Sequence, residues 1–181
     1  MARALLIVDI QNDYFPGGAN PLDEPEAAAD AARRVLESFR AAGEPVIHVQ
    51  HVWDAPDAPF MRPGTEGVEI RREVAPRDGE PVIQKHAPNA FLRTSLEQEL
   101  RGRGVDAITV CGMMTSMCVD ATVRAAADLG FNVTVVHDAC AAPAITFAGL
   151  EVPAPAVSAA YFGSLAQGYA TVVSADELTT A

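Results

Sequence analysis

The chain reads as a single-domain α/β protein built on a mostly parallel sheet. Three observations carry this. Short apolar runs, Ala4-Leu5-Leu6-Ile7-Val8 first among them, lack alternating polar positions, which marks strands covered on both faces. Between such runs lie segments with apolar residues at steps of three and four, the period of an amphipathic helix. The two kinds of segment alternate, and strand–helix–strand alternation closes into right-handed crossovers. At 181 residues the chain is long enough for one core. It shows no linker, repeat or low-complexity stretch, so residues 1–181 are read as one domain.

The elements follow in order. Ala4–Val8 is a strand ending at Asp9. A helix spans roughly Pro25–Ala42, with Ala28, Ala32, Val35, Leu36 and Phe39 on one stripe and Gly43 as its stop. Val46–Val52 is the second strand. Trp53–Gly79 mixes prolines, glycines and charges without a period and reads as a long loop or lid, a kind of segment that is often functional. Val82–Lys85 is the third strand, and Thr94 or Ser95 opens a short helix through Leu96 and Leu100. In 107–130, a buried strand (Ile108, Val110, Cys111) breaks at Gly112. A helix follows through Val119, Val123, Ala126 and Ala127, with Thr115 and Ser116 as N-cap candidates and Gly130 as its stop. Phe131–Val136 is a fifth strand ending at His137-Asp138. Pro143–Pro155 reads as irregular, Ala156–Gln167 as a helix, Ala170–Val173 as a last strand and Asp176-Glu177-Leu178 as a terminal turn.

Composition excludes several classes. Lys plus Arg is 13 against 24 for Asp plus Glu, a net charge of −11. Nucleic acid and anionic membrane both need clustered basic charge, so neither is an expected partner. No run has the length of a membrane span. Met1-Ala2-Arg3 leads straight into a strand and leaves no room for a signal peptide, so the cytoplasm is the expected compartment. Three cysteines with no C-x-x-C spacing indicate neither a disulfide framework nor a zinc knuckle.

In open α/β sheets, sites lie beyond the carboxyl ends of the strands, where strand order reverses. Asp9 ends strand one, Lys85 ends strand three and Cys118 follows strand four. Alone, each has a plain reading: a loop carboxylate, a surface lysine, a small buried hydrophobe. Arriving together at one sheet edge, they suit acyl chemistry. Asp9 takes the thiol proton, Lys85 favours the thiolate and Cys118 attacks a carbonyl carbon. Placing Cys118 in a first helical turn adds the positive end of the helix dipole. The strand–turn–helix resembles a nucleophile elbow with sulfur in place of oxygen. The turn from Gly112 to Cys118 offers backbone N–H groups for an oxyanion. Cys111 and Cys140 read as packing residues.

These residues resemble the isochorismatase-like cysteine hydrolases, a family that includes nicotinamidases. The likeness covers nearly the whole chain. It is carried by Leu6-Ile7-Val8-Asp9-Ile10-Gln11-Asn12-Asp13-Tyr14-Phe15, by Lys85 with Asn89-Ala90-Phe91, by Cys111-Gly112-Met113-Met114-Thr115-Ser116-Met117-Cys118-Val119 and by His137-Asp138-Ala139-Cys140-Ala141. It implies a three-layer fold with a six-stranded parallel sheet of order 3-2-1-4-5-6 and an Asp9–Lys85–Cys118 triad. It also implies a cis peptide between Met113 and Met114, an oxyanion hole from the backbone N–H groups of Met114 and Cys118, and a homo-oligomer, dimer or tetramer. The implied reaction is hydrolysis of a small amide, N-carbamoyl or lactam C–N bond through a thioester.

The chain also departs from parts of the family. Metal-binding nicotinamidases carry Asp-x-His after the second strand, where this chain has His51-Val52-Trp53. His48 and His51, three apart on a strand, point to roughly opposite faces. No metal or other cofactor is therefore expected. His86 should face away from Lys85. The segment Phe60-Met61-Arg62-Pro63-Gly64-Thr65-Glu66-Gly67 resembles metal-free members. Tyr14, Phe15, Trp53 and Phe60 are candidates for an apolar pocket wall. Arg62 or Arg71 is a candidate partner for a substrate carboxylate.

Alternative functions fare worse. Haloacid-dehalogenase-type phosphohydrolases need a second carboxylate where this chain has Gln11. Rossmann binding needs a G-x-G-x-x-G that is absent after strand one. Vinyl-ether hydrolysis of the isochorismatase type, or a catalytically silent oligomer, stand as the alternatives within the family.

Overall fold

The computed structural model describes residues 2–180; Met1, part of the N-terminal reading, and Ala181 lie outside it. A parallel six-stranded sheet runs through the centre. Its strands are β1 (Ala2–Val8), β2 (Val46–His51), β3 (Val82–Lys85), β4 (Val105–Met113), β5 (Asn132–Ala141) and the late strand Thr171–Val173. A short antiparallel hairpin, β6 (Ile145–Phe147) with β7 (Leu150–Val152), makes the late strand β8. The sheet order is β3-β2-β1-β4-β5-β8. This is the order expected, with the sixth sheet position taken by β8. The hairpin lies in the stretch read as irregular. Its strands are three residues each, too short to show a period, and they meet at Ala148-Gly149, both at positive φ.

Five α-helices lie among the described residues: α1 (Pro25–Ala41), α2 (Leu96–Gly102), α3 (Asp120–Asp128), α4 (Ala154–Ala166) and α5 (Ala175–Thr180). The last replaces the expected terminal turn. The continuous apolar run of β1 feeds two layers at once. Leu5 and Ile7 join the core beneath α1, with Val35, Leu36 and Phe39. Ala4, Leu6 and Val8 join the core on the opposite face, with Leu96 and Leu100 of α2 and Val123 and Ala126 of α3. A side chain such as Phe39 or Leu36 contributes about 2–3 kcal/mol by leaving water. Among the described residues no helix is long and apolar enough to cross a membrane.

Strand order reverses between β1 and β4, and the ladder there fixes the geometry of the site. Val8 pairs with Gly112. A Cβ on Gly112 would collide with the Val8 backbone, and its φ is +144°, so only glycine fits. Past Val8 the backbone turns through Asp9 at φ +52°, a left-handed conformation that Asp tolerates better than most residues.

The long segment 53–79 is not a free lid. Its chain is stitched to the residues after β1. Arg71 N–H donates to Ile10 O (2.8 Å), Asn12 N–H to Glu69 O (3.0 Å) and Asn12 Nδ2 to Glu66 O (3.0 Å). The buried Asp13 carboxylate accepts from Met61 N–H (2.6 Å) and Ala19 N–H (3.0 Å). Two single 3₁₀ turns, Glu66–Val68 and Arg72–Val74, shape the rest.

Candidate active site

Asp9, Lys85 and Cys118 meet at the carboxyl edge of the sheet. Lys85 Nζ lies 2.6 Å from Asp9 Oδ2 and 3.2 Å from Cys118 Sγ. Asp9 and Lys85 are fully buried, and Cys118 is 5% exposed. Burying an ammonium is costly unless it is paired, and here the pairing is close on several sides. A carboxylate oxygen of Asp9 also lies within 4.8 Å of Cys118 Sγ, which sets an acceptor near the sulfur.

Cys118 does not sit in the first turn of an α-helix as the sequence led us to expect. It lies in a π-turn, Thr115–Val119, ahead of α3. Met114 O accepts from both Met117 N–H (3.1 Å) and Val119 N–H (3.2 Å), which widens the turn. Neither Thr115 nor Ser116 caps it with a side chain. The peptide between Met113 and Met114 is cis.

The electrostatics correct a second expectation. Burial, then the Asp9 carboxylate, push the Cys118 thiol well above its ordinary value, outweighing the opposite pull of Lys85. The balance favours the thiol over the thiolate. Burial also raises the Asp9 carboxyl, against the ammonium of Lys85. A more basic carboxylate beside a protonated thiol is a donor–acceptor pair set for proton transfer.

A cavity of about 270 Å³ opens on Cys118, bounded by Tyr14, His51, Trp53, Phe60, His86, Pro88, Met114 and Met117. Tyr14, Trp53 and Phe60, candidates from the sequence, line this cavity. Trp53 and Phe60 meet edge to face, their centroids 5.3 Å apart, and Phe60 leans on Tyr14 at 6.0 Å. Phe15 is not a wall residue. It is 1% exposed in the core, with the Arg71 guanidinium stacked 4.3 Å over its ring. Arg71 is spent there and on Glu73 (3.1 Å), and neither it nor Arg62 borders the cavity.

Two histidines enter that sequence reasoning did not place. His86, expected to face away from Lys85, lines the cavity, with Nδ1 2.8 Å from Val52 O. His51 sits at Lys85: its Nδ1 is 2.9 Å from Nζ. The signal was strand register, since parallel β2 and β3 set His51 directly beside Lys85. His48 points elsewhere, to Glu80 at 3.0 Å, as the spacing of the two histidines implied.

Ligand atoms of Asp9, His51 and Cys118 all lie within 4.8 Å of one another, a spacing that suits a metal ion. The Lys85 ammonium already bonds to each of the three. A divalent cation would have to displace it, so the donor set fits the ammonium and not a metal.

The chain brings a carboxylate, an ammonium and a thiol together at the switch point of a doubly wound α/β sheet, a set of groups suited to hydrolysis. It belongs to the isochorismatase family: residues 3–177 match the isochorismatase domain. A Bacillus subtilis family member without a characterised activity, YddQ, is 48% identical over 95% of this chain and 96% of its own. A crystal structure from Oleispira antarctica, assigned to the isochorismatase hydrolases, is 44% identical, with a TM-score of 0.96 over 99% of this chain and 97% of that one. The N-carbamoylsarcosine amidase of Thermoplasma acidophilum is 30% identical, with a TM-score of 0.80 over 97% and 98%.

Proposed function

We propose that the chain hydrolyses the C–N bond of a small amide, N-carbamoyl or lactam substrate through a thioester on Cys118. The observation that carries this reading is Lys85 Nζ lying within bonding reach of both Asp9 Oδ2 and Cys118 Sγ in a buried site. The amidase among the structural relatives supports the bond type.

The reaction runs in two halves. As Cys118 Sγ bonds to the carbonyl carbon, its proton passes to the Asp9 carboxylate, and Lys85 offsets the negative charge gathering on sulfur. The carbonyl oxygen becomes an oxyanion. Met114 and Cys118 border the cavity, and their backbone N–H groups are the proposed donors to it. Protonated Asp9 then gives its proton to the departing nitrogen, the C–N bond breaks and a thioester remains. Asp9 next takes a proton from water, whose oxygen attacks the thioester. The C–S bond breaks, and the proton returns to sulfur.

The cavity narrows the substrate. Among the described residues no arginine and no carboxylate borders it. Its walls are aromatic and thioether, which favours an uncharged, planar or apolar acyl group of a few heavy atoms.

The test is a product screen over neutral primary amides such as benzamide, N-carbamoyl amino acids and small lactams, run beside Cys118→Ala. We expect at least one substrate for the parent chain, a drop of at least about 10³-fold in the variant and a quench-trapped acyl adduct on Cys118 by mass spectrometry. Equal turnover by both proteins would remove the thioester. Inertness of the parent across the panel would remove the amide reading.

A further inference from the structure

Lys85 is gripped from three sides, and the mechanism above uses only two. The third partner is His51, whose Nδ1 lies 2.9 Å from Nζ. An ammonium has only donors, so Nδ1 is the accepting nitrogen and the ring proton sits on Nε2. Among the described residues Nε2 has no hydrogen-bond partner, and the ring borders the cavity.

We propose that His51 is a positioning residue: its Nδ1 aims the Lys85 ammonium at the Cys118 sulfur, and this fixes the tautomer that turns Nε2–H toward the cavity. The proposal builds on the thioester reading, which assigns Lys85 its role. His51 is itself held rigid. Gln11 Oε1 accepts its backbone N–H (2.8 Å), and Gln11 Nε2 donates to its carbonyl (2.9 Å) and to Val68 O (2.6 Å). The Trp53 ring meets the imidazole edge to face, 6.4 Å between centroids.

The titratable groups around this arm come from every adjoining element. They are Asp9 from the end of β1, Asp13 and Tyr14 from the turn after it, Lys85 and His86 from β3 and its exit, and Cys118 from the π-turn. Burial first, then Lys85 and His86, push His51 down to about 4, so the imidazole stays neutral and remains an acceptor at neutral pH. Without that acceptor the long lysine side chain is free to turn wholly toward Asp9. The sulfur then loses the nearest fixed positive charge.

Two substitutions separate positioning from bulk. The oxygen of Asn stands close to where Nδ1 stood, whereas Leu fills the space with no acceptor. The readout is the pH dependence of iodoacetamide alkylation at Cys118, followed on its own peptide, which needs no substrate. We expect His51→Leu to slow alkylation about tenfold at pH 7 and to raise its midpoint by about one pH unit. His51→Asn should recover most of both, at similar melting temperatures. Nitrogen-15 NMR of the unaltered protein should show the Nε2–H tautomer from pH 6 to 8, and this arm stands even where a variant fails to fold. The proposal falls if His51→Leu keeps the parental midpoint, if Asn and Leu shift it alike, or if the proton lies on Nδ1. It fails separately from the thioester reading, which rests on turnover by Cys118→Ala.

Discussion

Cys118 and Asp9 show how two unfavourable burials make one usable pair. Burial opposes the thiolate and the carboxylate alike, so both groups rest closer to their neutral forms than in water. In the proposed mechanism the sulfur gains its negative charge as the proton leaves for Asp9 and the carbonyl arrives. The sign of the pH effect follows. Asp9 must be ionised to accept, and its carboxyl titrates above the ordinary 3.8. The acid limb of kcat/KM should therefore lie above the usual carboxylate range and vanish in Asp9→Asn, together with at least about 10²-fold in rate. A limb at 3.8 would show that Asp9 is not the base. At this scale the sequence was legible for Asp9 and Lys85, charged residues that close apolar strands. It was not legible for His51, His86 and Phe15, whose places depend on strand register and on which way a turn rolls. Phe15 and Tyr14 are neighbours in the chain, yet one lies in the core and the other on the cavity.

The elements explain why the pocket keeps its shape. Asp13 anchors the segment that carries Phe60 by accepting the Met61 N–H, and Gly67 packs so closely on that carboxylate that a Cβ there would collide with it. Asp13→Ala leaves a buried N–H without a partner. It should cost about 1–3 kcal/mol in chemical denaturation and raise KM more than it lowers kcat; an unchanged KM would separate the loop from the pocket. Gly112→Ala should destabilise by about 3 kcal/mol or more, because its methyl meets the Val8 backbone, which cannot step aside. β1, α1 and β3 were legible from apolar period and stop residues. The π-turn was not, because its signature is a widened hydrogen-bond pattern around Met114 O, and Thr115 and Ser116 look like ordinary caps. The extension of β5 to Ala141 was equally hidden. It follows from a register shift between Val110 and Gly112 that re-pairs Gly112 with Cys140.

Across the whole molecule, charge is arranged unevenly. Arg40 of α1 holds Glu80, at the turn before β3, with two bonds of 2.7 and 2.8 Å, and His48 adds a third contact at 3.0 Å. Burial alone would raise Glu80, but Arg40, the Arg77 N–H and His48 outweigh it and carry it down to about 2 from 4.5. A carboxyl lowered by folding stabilises the fold above its unfolded value. That contribution is complete above pH 4.5 and is lost as pH falls toward 2. Glu80→Gln should flatten this part of an acid-unfolding curve, and an unchanged curve would mean that the cluster adds nothing. Elsewhere the −11 net charge repels itself. Moving from about 10 to 150 mM salt at pH 8 should raise the melting temperature, as screening shortens to about 8 Å.

Asp9, Lys85 and Cys118, the groups proposed to react, arrive from three separate strand ends, and no short stretch of chain contains two of them. A ribosome-bound or half-assembled chain therefore carries an everyday cysteine, with neither the acceptor nor the cation beside it. On the proposed mechanism, reactivity is switched on by the docking of β3 and β4 onto their neighbours, and the finished sheet is the form in which this sulfur attacks a carbonyl.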